Sequence, residues 1–156
     1  MSEPIGDALP HTALEFLQGG HSVVVSTVGI DGRPWTGVMS WVYAPDAKTV
    51  RLILARHSQT LANIRANGQI MLQLLGDGFT YGVRGRARVV RESIDGAPVP
   101  ASVVEMEVDL VKDDLSEGRE FHARIESWWI DPAKQAVEDR GLEMLRALPA
   151  PEAYGV

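Results

Sequence analysis

Residues 31–67 read DGRPWTGVMSWVYAPDAKTVRLILARHSQTLANIRAN, and this stretch decides the fold. Alternating and β-branched residues predict a long strand over residues 35–43 and, after a turn, a second strand over residues 49–55. Ser58 can cap a helix that stops at Asn67-Gly68. Because both faces of the first strand carry apolar residues, the pattern favours a barrel strand over a sheet with one wet face.

The start of this predicted helix is a candidate anion site. Arg56, Ser58 and Thr60 lie where the second strand passes into the helix. The N–H groups of a first helical turn have no partner within the helix, and the helix dipole favours negative charge there. The pattern therefore indicates a phosphate site, with a helix cap beside a cation as the simpler alternative.

Composition indicates one globular domain over residues 1–156, with a core at about 20–131 and a C-terminal helix at about 132–148. Hydrophobic residues make up 45% and charged residues 23%. The net charge of −6 and the pI near 5.2 argue against nucleic-acid binding. Cysteine is absent, and no run approaches the ~18 apolar residues of a membrane span. We therefore expect no membrane association and a cytoplasmic location.

The remaining sequence predicts more strands than helices. Strands are predicted over residues 22–28, 69–75, 79–90 and 121–130, and helices over residues 10–18, 101–115 and 132–148. The second of these helices is based on Val104, Val108, Val111 and Leu115, which have helical spacing. The result is a mainly β (α+β) protein with about six antiparallel strands in a closed barrel and peripheral helices.

Known catalytic motifs are absent from the sequence. The four histidines lack metal-ligand spacing, and neither a GxSxG elbow nor a glycine-rich dinucleotide turn before a helix occurs. Two clusters remain. Arg84, Arg86 and Arg88 share one face of a strand, either as a solvated surface or as a wall for an anion. Adjacent Trp128 and Trp129 must point to opposite faces of their predicted strand, so at least one is expected at an interface or against a flat ligand.

Three segments together resemble a known family. STVGIDGRPWTGVMSWVY, LILARHSQTLANIRAN and VRGRARVV resemble the pyridoxamine 5′-phosphate oxidase-like, FMN-binding split-barrel superfamily over about residues 20–91. The resemblance implies a six-stranded antiparallel split β-barrel that forms a homodimer, with FMN bound in clefts between the subunits.

The resemblance also implies which residues bind the cofactor. It places Val38, Met39 and Ser40 beside the flavin ring. It places Leu54 and Ala55 along the ribityl chain. The phosphate would be held at the helix start by Arg56, Ser58, Gln59 and Thr60. Trp129, or Trp128, would approach the ring from the partner subunit, and Arg84 would line the same cleft.

Two positions depart from the family pattern. Gly37 and Thr60 stand where pyridoxamine phosphate oxidases typically have an arginine and a lysine near the cofactor. We therefore expect a general member of the superfamily, an FMN-dependent oxidoreductase that acts on a small molecule other than pyridoxamine phosphate. The alternatives are a deazaflavin-dependent reductase of the same fold, or a non-catalytic flavin- or haem-binding module with His57 or His122 as the axial ligand.

Overall fold

The structure is a computed structural model that describes residues 3–95, 97 and 99–150. Within these residues the chain forms three helices and eight strands. The helices are α1 (His11–Phe16), α2 (Gln59–Asn67) and α3 (Pro132–Ala147). The strands are β1 (Glu3–Gly6), β2 (Val23–Val28), β3 (Pro34–Met39), β4 (Val42–Asp46), β5 (Thr49–Ala55), β6 (Gln69–Gly76), β7 (Phe79–Arg91) and β8 (Ala101–Asp113).

All eight strands belong to one antiparallel sheet in the order β3-β2-β6-β7-β8-β5-β4, and β1 pairs with β8. The prediction of a mainly β protein with peripheral helices is confirmed, but the strand count is eight rather than six. Over the residues described, the hydrogen-bonded path is open rather than closed. Its two ends, β3 and β4, follow each other in the chain and are joined by Ser40 and Trp41.

The single strand predicted over residues 35–43 is wrong at its centre. β3 pairs with β2, whereas β4 pairs with β5. Ser40 and Trp41 carry the chain from one partner to the other, and the Trp41 carbonyl accepts a hydrogen bond from the N–H of Ile53 at 3.1 Å. An apolar pattern reports burial but not which strand lies alongside, so it cannot reveal this change of partner.

The helix predicted over residues 101–115 is wrong, because this segment forms strand β8. Val104, Val108 and Val111 are buried at helical spacing, but the neighbouring Val103 and Met106 are buried as well. β8 lies inside the sheet and pairs with β1, β5 and β7. A strand that is covered on both faces loses the period-two alternation that identifies strands, and a helical pattern can then arise by coincidence.

The strand predicted over residues 121–130 is also wrong, because this segment has no regular secondary structure. It follows the surface and is fastened at separate points. The Phe121 carbonyl accepts a hydrogen bond from the N–H of Gly78 at 2.8 Å, and the hydroxyls of Ser127 and Ser22 lie 3.4 Å apart. The segment leaves the Trp128 side chain 74% exposed.

The predicted start and stop of α2 are confirmed. The Ser58 hydroxyl accepts a hydrogen bond from the N–H of Leu61 at 3.2 Å, which caps the first turn. Gly68 ends the helix with a φ of +69°, a left-handed conformation that glycine adopts without steric cost. α2 then packs Leu61 and Ile64 into the main hydrophobic core.

α3 covers a second, smaller core on the opposite face of β5. Leu52 and Leu54 of β5 face the main core, whereas Ile53 packs with Leu142 and Leu145 of α3. Asp131 caps this helix by accepting a hydrogen bond from the N–H of Ala133, as the sequence predicts. Across the part of the chain that the structure describes, no helix is both long enough and apolar enough to cross a membrane.

A buried ion pair fastens the C-terminal end of α3 to the sheet. Arg51 of β5 and Glu105 of β8 are 2% and 4% exposed, and Nε of the arginine lies 2.9 Å from a carboxylate oxygen of the glutamate. The guanidinium also donates hydrogen bonds to the carbonyls of Leu145, at 3.1 Å, and of Leu148 and Pro149. These contacts determine where α3 ends and therefore how it lies across β5.

Candidate functional site

A groove of about 560 Å³ lies where the break between β3 and β4, the end of β5, the cap of α2 and the helix α3 meet. This volume is within the usual range for cofactor and substrate sites, about 300–1,000 Å³. Its lining residues come from five separate segments: Val38, Met39, Ser40, Trp41, Ile53, Leu54, Ala55, Ser58, Val99, Trp129, Lys134, Val137 and Glu138.

Most of the predicted cofactor residues line this groove. The set comprises Val38, Met39, Ser40, Leu54, Ala55, Ser58 and Trp129. Val38 is 68% exposed, although it belongs to a strand. β3 is an end strand of the sheet, so the backbone groups that face away from β2 have no strand partner in the described sheet. The groove therefore offers apolar side chains together with free backbone donors and acceptors.

The residues at the start of α2 lie beside the groove with mixed orientations. Arg56 is exposed, and its guanidinium donates a hydrogen bond to the Glu92 carbonyl at 3.1 Å. Gln59 is exposed and donates a hydrogen bond to Asn63 at 2.8 Å. Thr60 is only 2% exposed as a whole residue, so its side chain is not available to an anion.

Arg84, which the resemblance implies in the same cleft, does not line the groove of its own chain. It lies on β7 and forms an ion pair of 2.8 Å with Asp109 of β8. Arg84, Arg86 and Arg88 are all exposed, so their common face is one of the sheet's solvent-facing surfaces.

Glu92 connects the start of α2 to the loop that follows β7. Both oxygens of its carboxylate accept hydrogen bonds from the Arg65 guanidinium, at 3.0 and 2.7 Å. The hydrogen bond from Arg65 lowers the pKa of the Glu92 carboxyl, and the same contact raises the pKa of Arg65. The Glu92 carbonyl accepts hydrogen bonds from Arg56 and from the hydroxyl of Ser102. This network keeps Arg56 beside the first turn of α2.

The most informative residue that sequence reasoning missed is Glu138 of α3. One carboxylate oxygen accepts a hydrogen bond from the Ser40 hydroxyl, and the other accepts one from the indole N–H of Trp129 at 2.9 Å. The backbone carbonyl of Glu138 accepts a third, from the indole N–H of Trp41 at 3.0 Å. Glu138 thus joins the floor of the groove to two of its aromatic walls.

Gly141 permits the close contact between α3 and the ring of Trp41. A Cβ atom at Gly141 would lie inside the van der Waals radius of the Trp41 ring, so any larger residue would push α3 away from the groove. Lys134, Val137, Glu138 and Gly141 recur at the spacing of one helix face. This periodicity is the signal in the sequence that could have identified the face, but it does not say what the face covers.

Trp129 lies over the groove of its own chain. The resemblance implies that a tryptophan from the partner subunit approaches the ring, whereas here Glu138 and Lys134 of the same chain hold Trp129. The Lys134 ammonium lies 5.6 Å from the centre of the Trp129 ring, within the range of a cation–π contact. Trp128 points away and is exposed.

The histidines suggested as haem ligands lie outside the groove. His57 is exposed and is not among the lining residues. His122 contacts the carboxylates of Asp77 and Glu120 at 3.0 and 3.3 Å, and these hydrogen bonds, the one to Asp77 foremost, raise the pKa of its imidazole. Over the described residues, no cluster of three or more histidines and carboxylates could hold a metal ion.

Comparison with solved structures finds several proteins of the same fold. A candidate pyridoxamine 5′-phosphate oxidase from Lactobacillus delbrueckii is 19% identical with a TM-score of 0.61, and the match covers 70% of this chain and 98% of that one. HupZ of Group A Streptococcus is 19% identical with a TM-score of 0.60 over 74% and 99% of the two chains. An F420 reductase is 17% identical with a TM-score of 0.57 over 66% and 98%.

A search of curated protein sequences finds no match. The model of one protein family, described as pyridoxamine 5′-phosphate oxidase, matches residues 9–129. This match spans most of the chain and all but the α3 side of the groove. The chain belongs to the pyridoxamine 5′-phosphate oxidase family.

Proposed function

We propose that this protein is an FMN-dependent oxidoreductase that binds its flavin in the groove and acts on a small molecule. The observation that carries the proposal is the convergence of predicted cofactor residues from three distant segments on one groove. The ring would lie along Val38, Met39 and Ser40, and the ribityl chain along Leu54 and Ala55.

The edge of β3 fits the polar edge of a flavin ring. Alternate residues of an antiparallel edge strand direct their N–H and C=O groups away from the neighbouring strand. Over residues 38–40 these groups border the groove, where they can hydrogen-bond the carbonyl and N–H groups of a flat ring. Gly37 carries no side chain that would cover the adjacent backbone.

The first turn of α2 fits the phosphate. Ser58 caps the turn, and the N–H groups of Gln59 and Thr60 are among those that lack a partner within the helix. Arg56, held nearby by the Glu92 carbonyl, supplies a positive charge. Typical oxidases of this family have a lysine at the position of Thr60. In this chain the groups named here would hold the phosphate without it.

Two copies of the chain would form a homodimer, as the resemblance implies. Large apolar side chains are exposed on strand β3 and beside Trp129, namely Trp35, Val38 and Trp128. Such a patch is typical of a surface that a second protein covers. In the dimer, Arg84 would reach the groove of the partner subunit rather than that of its own chain.

When bound, FMN would supply the hydride chemistry, and the protein would supply binding, orientation and electrostatics. The backbone of β3 would orient the ring, and Trp129 would shield one side of it from water. In this arrangement the end of the groove at Ser40 and Glu138 stays free for the substrate.

A deazaflavin is the second candidate cofactor. The phosphate site is weak, because Arg56 is already hydrogen-bonded to a carbonyl and the Thr60 side chain is buried.

The double variant Arg56→Glu/Ser58→Ala tests the proposed cofactor site. Hydrogen bonds to charged groups contribute about 1.5–3 kcal/mol each, so losing the contacts of both residues should lower the affinity for FMN about 100-fold or more. The control is Arg33→Glu, which makes the same charge change at an exposed position that does not line the groove. Flavin fluorescence titration measures the affinity.

Equal FMN affinity of the double variant and the control would refute the phosphate site. A native protein that binds the deazaflavin F420 but not FMN would replace the first cofactor by the second. A native protein that binds neither would refute the proposed function.

A further inference from the structure

Glu138 places a negative charge at the end of the groove that the proposed flavin leaves to the substrate. Across the described residues, no cationic side chain forms an ion pair with Glu138; its two side-chain partners are the Ser40 hydroxyl and the Trp129 indole, both uncharged. Its charge is therefore shared by hydrogen bonds but not neutralised. Lys134 is nearby, but its ammonium lies over the Trp129 ring.

The hydrogen bonds also determine what Ser40 can offer a ligand. A carboxylate has no proton to donate, so the Ser40 hydroxyl is the donor in its bond to Glu138. The hydroxyl oxygen then has only lone pairs left for a ligand. At this end the groove thus presents a hydroxyl oxygen and a carboxylate, both of which accept hydrogen bonds.

Apart from Lys134, the other lining groups at this end are aromatic or aliphatic. They include the rings of Trp41 and Trp129 and the side chains of Ile53 and Val137. Flat aromatic walls favour a flat or aromatic ligand, and the face of an indole ring attracts cations. The flat walls and the negative charge of Glu138 therefore both favour a flat ligand that carries a positive charge.

We propose that Glu138 determines the substrate class: a small aromatic molecule that carries an ammonium or another N–H-donating group, and not a carboxylate or a phosphate. This inference rests on the proposed function in taking the groove as the reaction site. It concerns the Ser40 end of the groove, whereas the anion site for the cofactor lies past Ala55, at the start of α2.

Three probes of similar shape test the charge preference: benzylamine, which is cationic at neutral pH, benzyl alcohol and benzoate. Their affinities are measured by tryptophan fluorescence titration on the native protein, both without cofactor and loaded with FMN. We expect benzylamine to bind at least about tenfold more tightly than benzoate, a difference of about 1.4 kcal/mol, with benzyl alcohol between them.

Two matched variants show whether the preference comes from Glu138. In Glu138→Gln, which keeps the size of the side chain, the benzylamine-to-benzoate ratio should fall to within about twofold. In Glu143→Gln, which removes the same charge from an exposed position of the same helix, the ratio should stay near its native value. Lys134→Gln, on the exposed first turn of α3, retains the hydrogen bonds from Ser40 and Trp129 to Glu138 and should increase the ratio.

A native protein without the preference, or a ratio that survives in Glu138→Gln, would overturn the inference. So would an equal loss in Glu143→Gln, because the effect would then follow net charge. If Glu138→Gln does not fold, a ratio that Lys134→Gln leaves unchanged overturns the inference instead. Failure to bind FMN, with the charge preference intact, would refute the proposed cofactor and not the role of Glu138.

Discussion

Replacement of Arg51 by methionine is the sharpest test of how α3 is held against the sheet. The substitution keeps an unbranched side chain of similar length but removes the guanidinium from beside Glu105, which is buried. It also removes the donor for the carbonyls of Leu145, Leu148 and Pro149 at the end of α3.

The expected loss follows from the burial of both partners. A buried charge left without its partner costs about 3–5 kcal/mol. The double variant Arg51→Met/Glu105→Leu removes both charges, so only the carbonyl contacts are lost, at about 1 kcal/mol each and less where water reaches them. The double variant should therefore recover about 2 kcal/mol or more of the loss in the single variant.

Urea unfolding followed by circular dichroism measures both free energies. The control is Arg33→Met, because Arg33 and Asp31 form an ion pair of 3.8 Å between side chains that are 87% and 61% exposed. An exposed pair contributes only about 0–1 kcal/mol. If Arg51→Met costs no more than Arg33→Met, or if the double variant is less stable than the single one, the reasoning from burial is refuted.

Three further predictions concern the helices and the surface. Gly141→Ala should lower the free energy of unfolding by about 1–3 kcal/mol, because the added methyl group would overlap with Trp41. The higher helix propensity of alanine offsets about 1 kcal/mol of this loss. Unchanged or higher stability in urea would contradict the contact with Trp41. Hydrogen bonds to Asp77 and Glu120 raise the pKa of His122 in the folded protein. The contribution of His122 to stability is therefore complete below about pH 6.5 and is lost as the pH rises through the folded-state pKa. The urea midpoint of the native protein should thus fall toward that of His122→Gln as the pH rises above about 6.5, and parallel curves would contradict this. Asn63→Ala should cost about 1–3 kcal/mol by calorimetry, because Asn63 is buried and donates a hydrogen bond to Thr27 at 3.0 Å; a loss below about 0.5 kcal/mol would mean that this bond contributes little.

Local patterns predicted the segments whose signals are local. The strand over residues 49–55 and the helix that Ser58 caps and Gly68 ends are present with nearly the predicted bounds. Turn residues, caps and β-branched runs act on their immediate neighbours, so they can be recognised without knowledge of the fold.

Patterns failed where the signal depends on distant neighbours. Residues 101–113 form a strand because β5 and β7 pair with their two edges, and burial of both faces over residues 101–106 removed the alternation on which strand prediction depends. The break at Ser40 and Trp41 has the same origin, since it marks where the chain exchanges β2 for β5 as its partner.

The sequence by itself determined the family, the mainly β architecture and the segments that border the groove. These follow from short motifs and from the resemblance they carry. Only the tertiary structure decided that α3 borders the groove, that Glu138 joins Ser40 to Trp129, and that Trp129 lines the groove of its own chain. Ser40 and Glu138 are 98 residues apart in sequence. Their contact depends on how the second core packs α3 against β5, and no local sequence pattern encodes that packing.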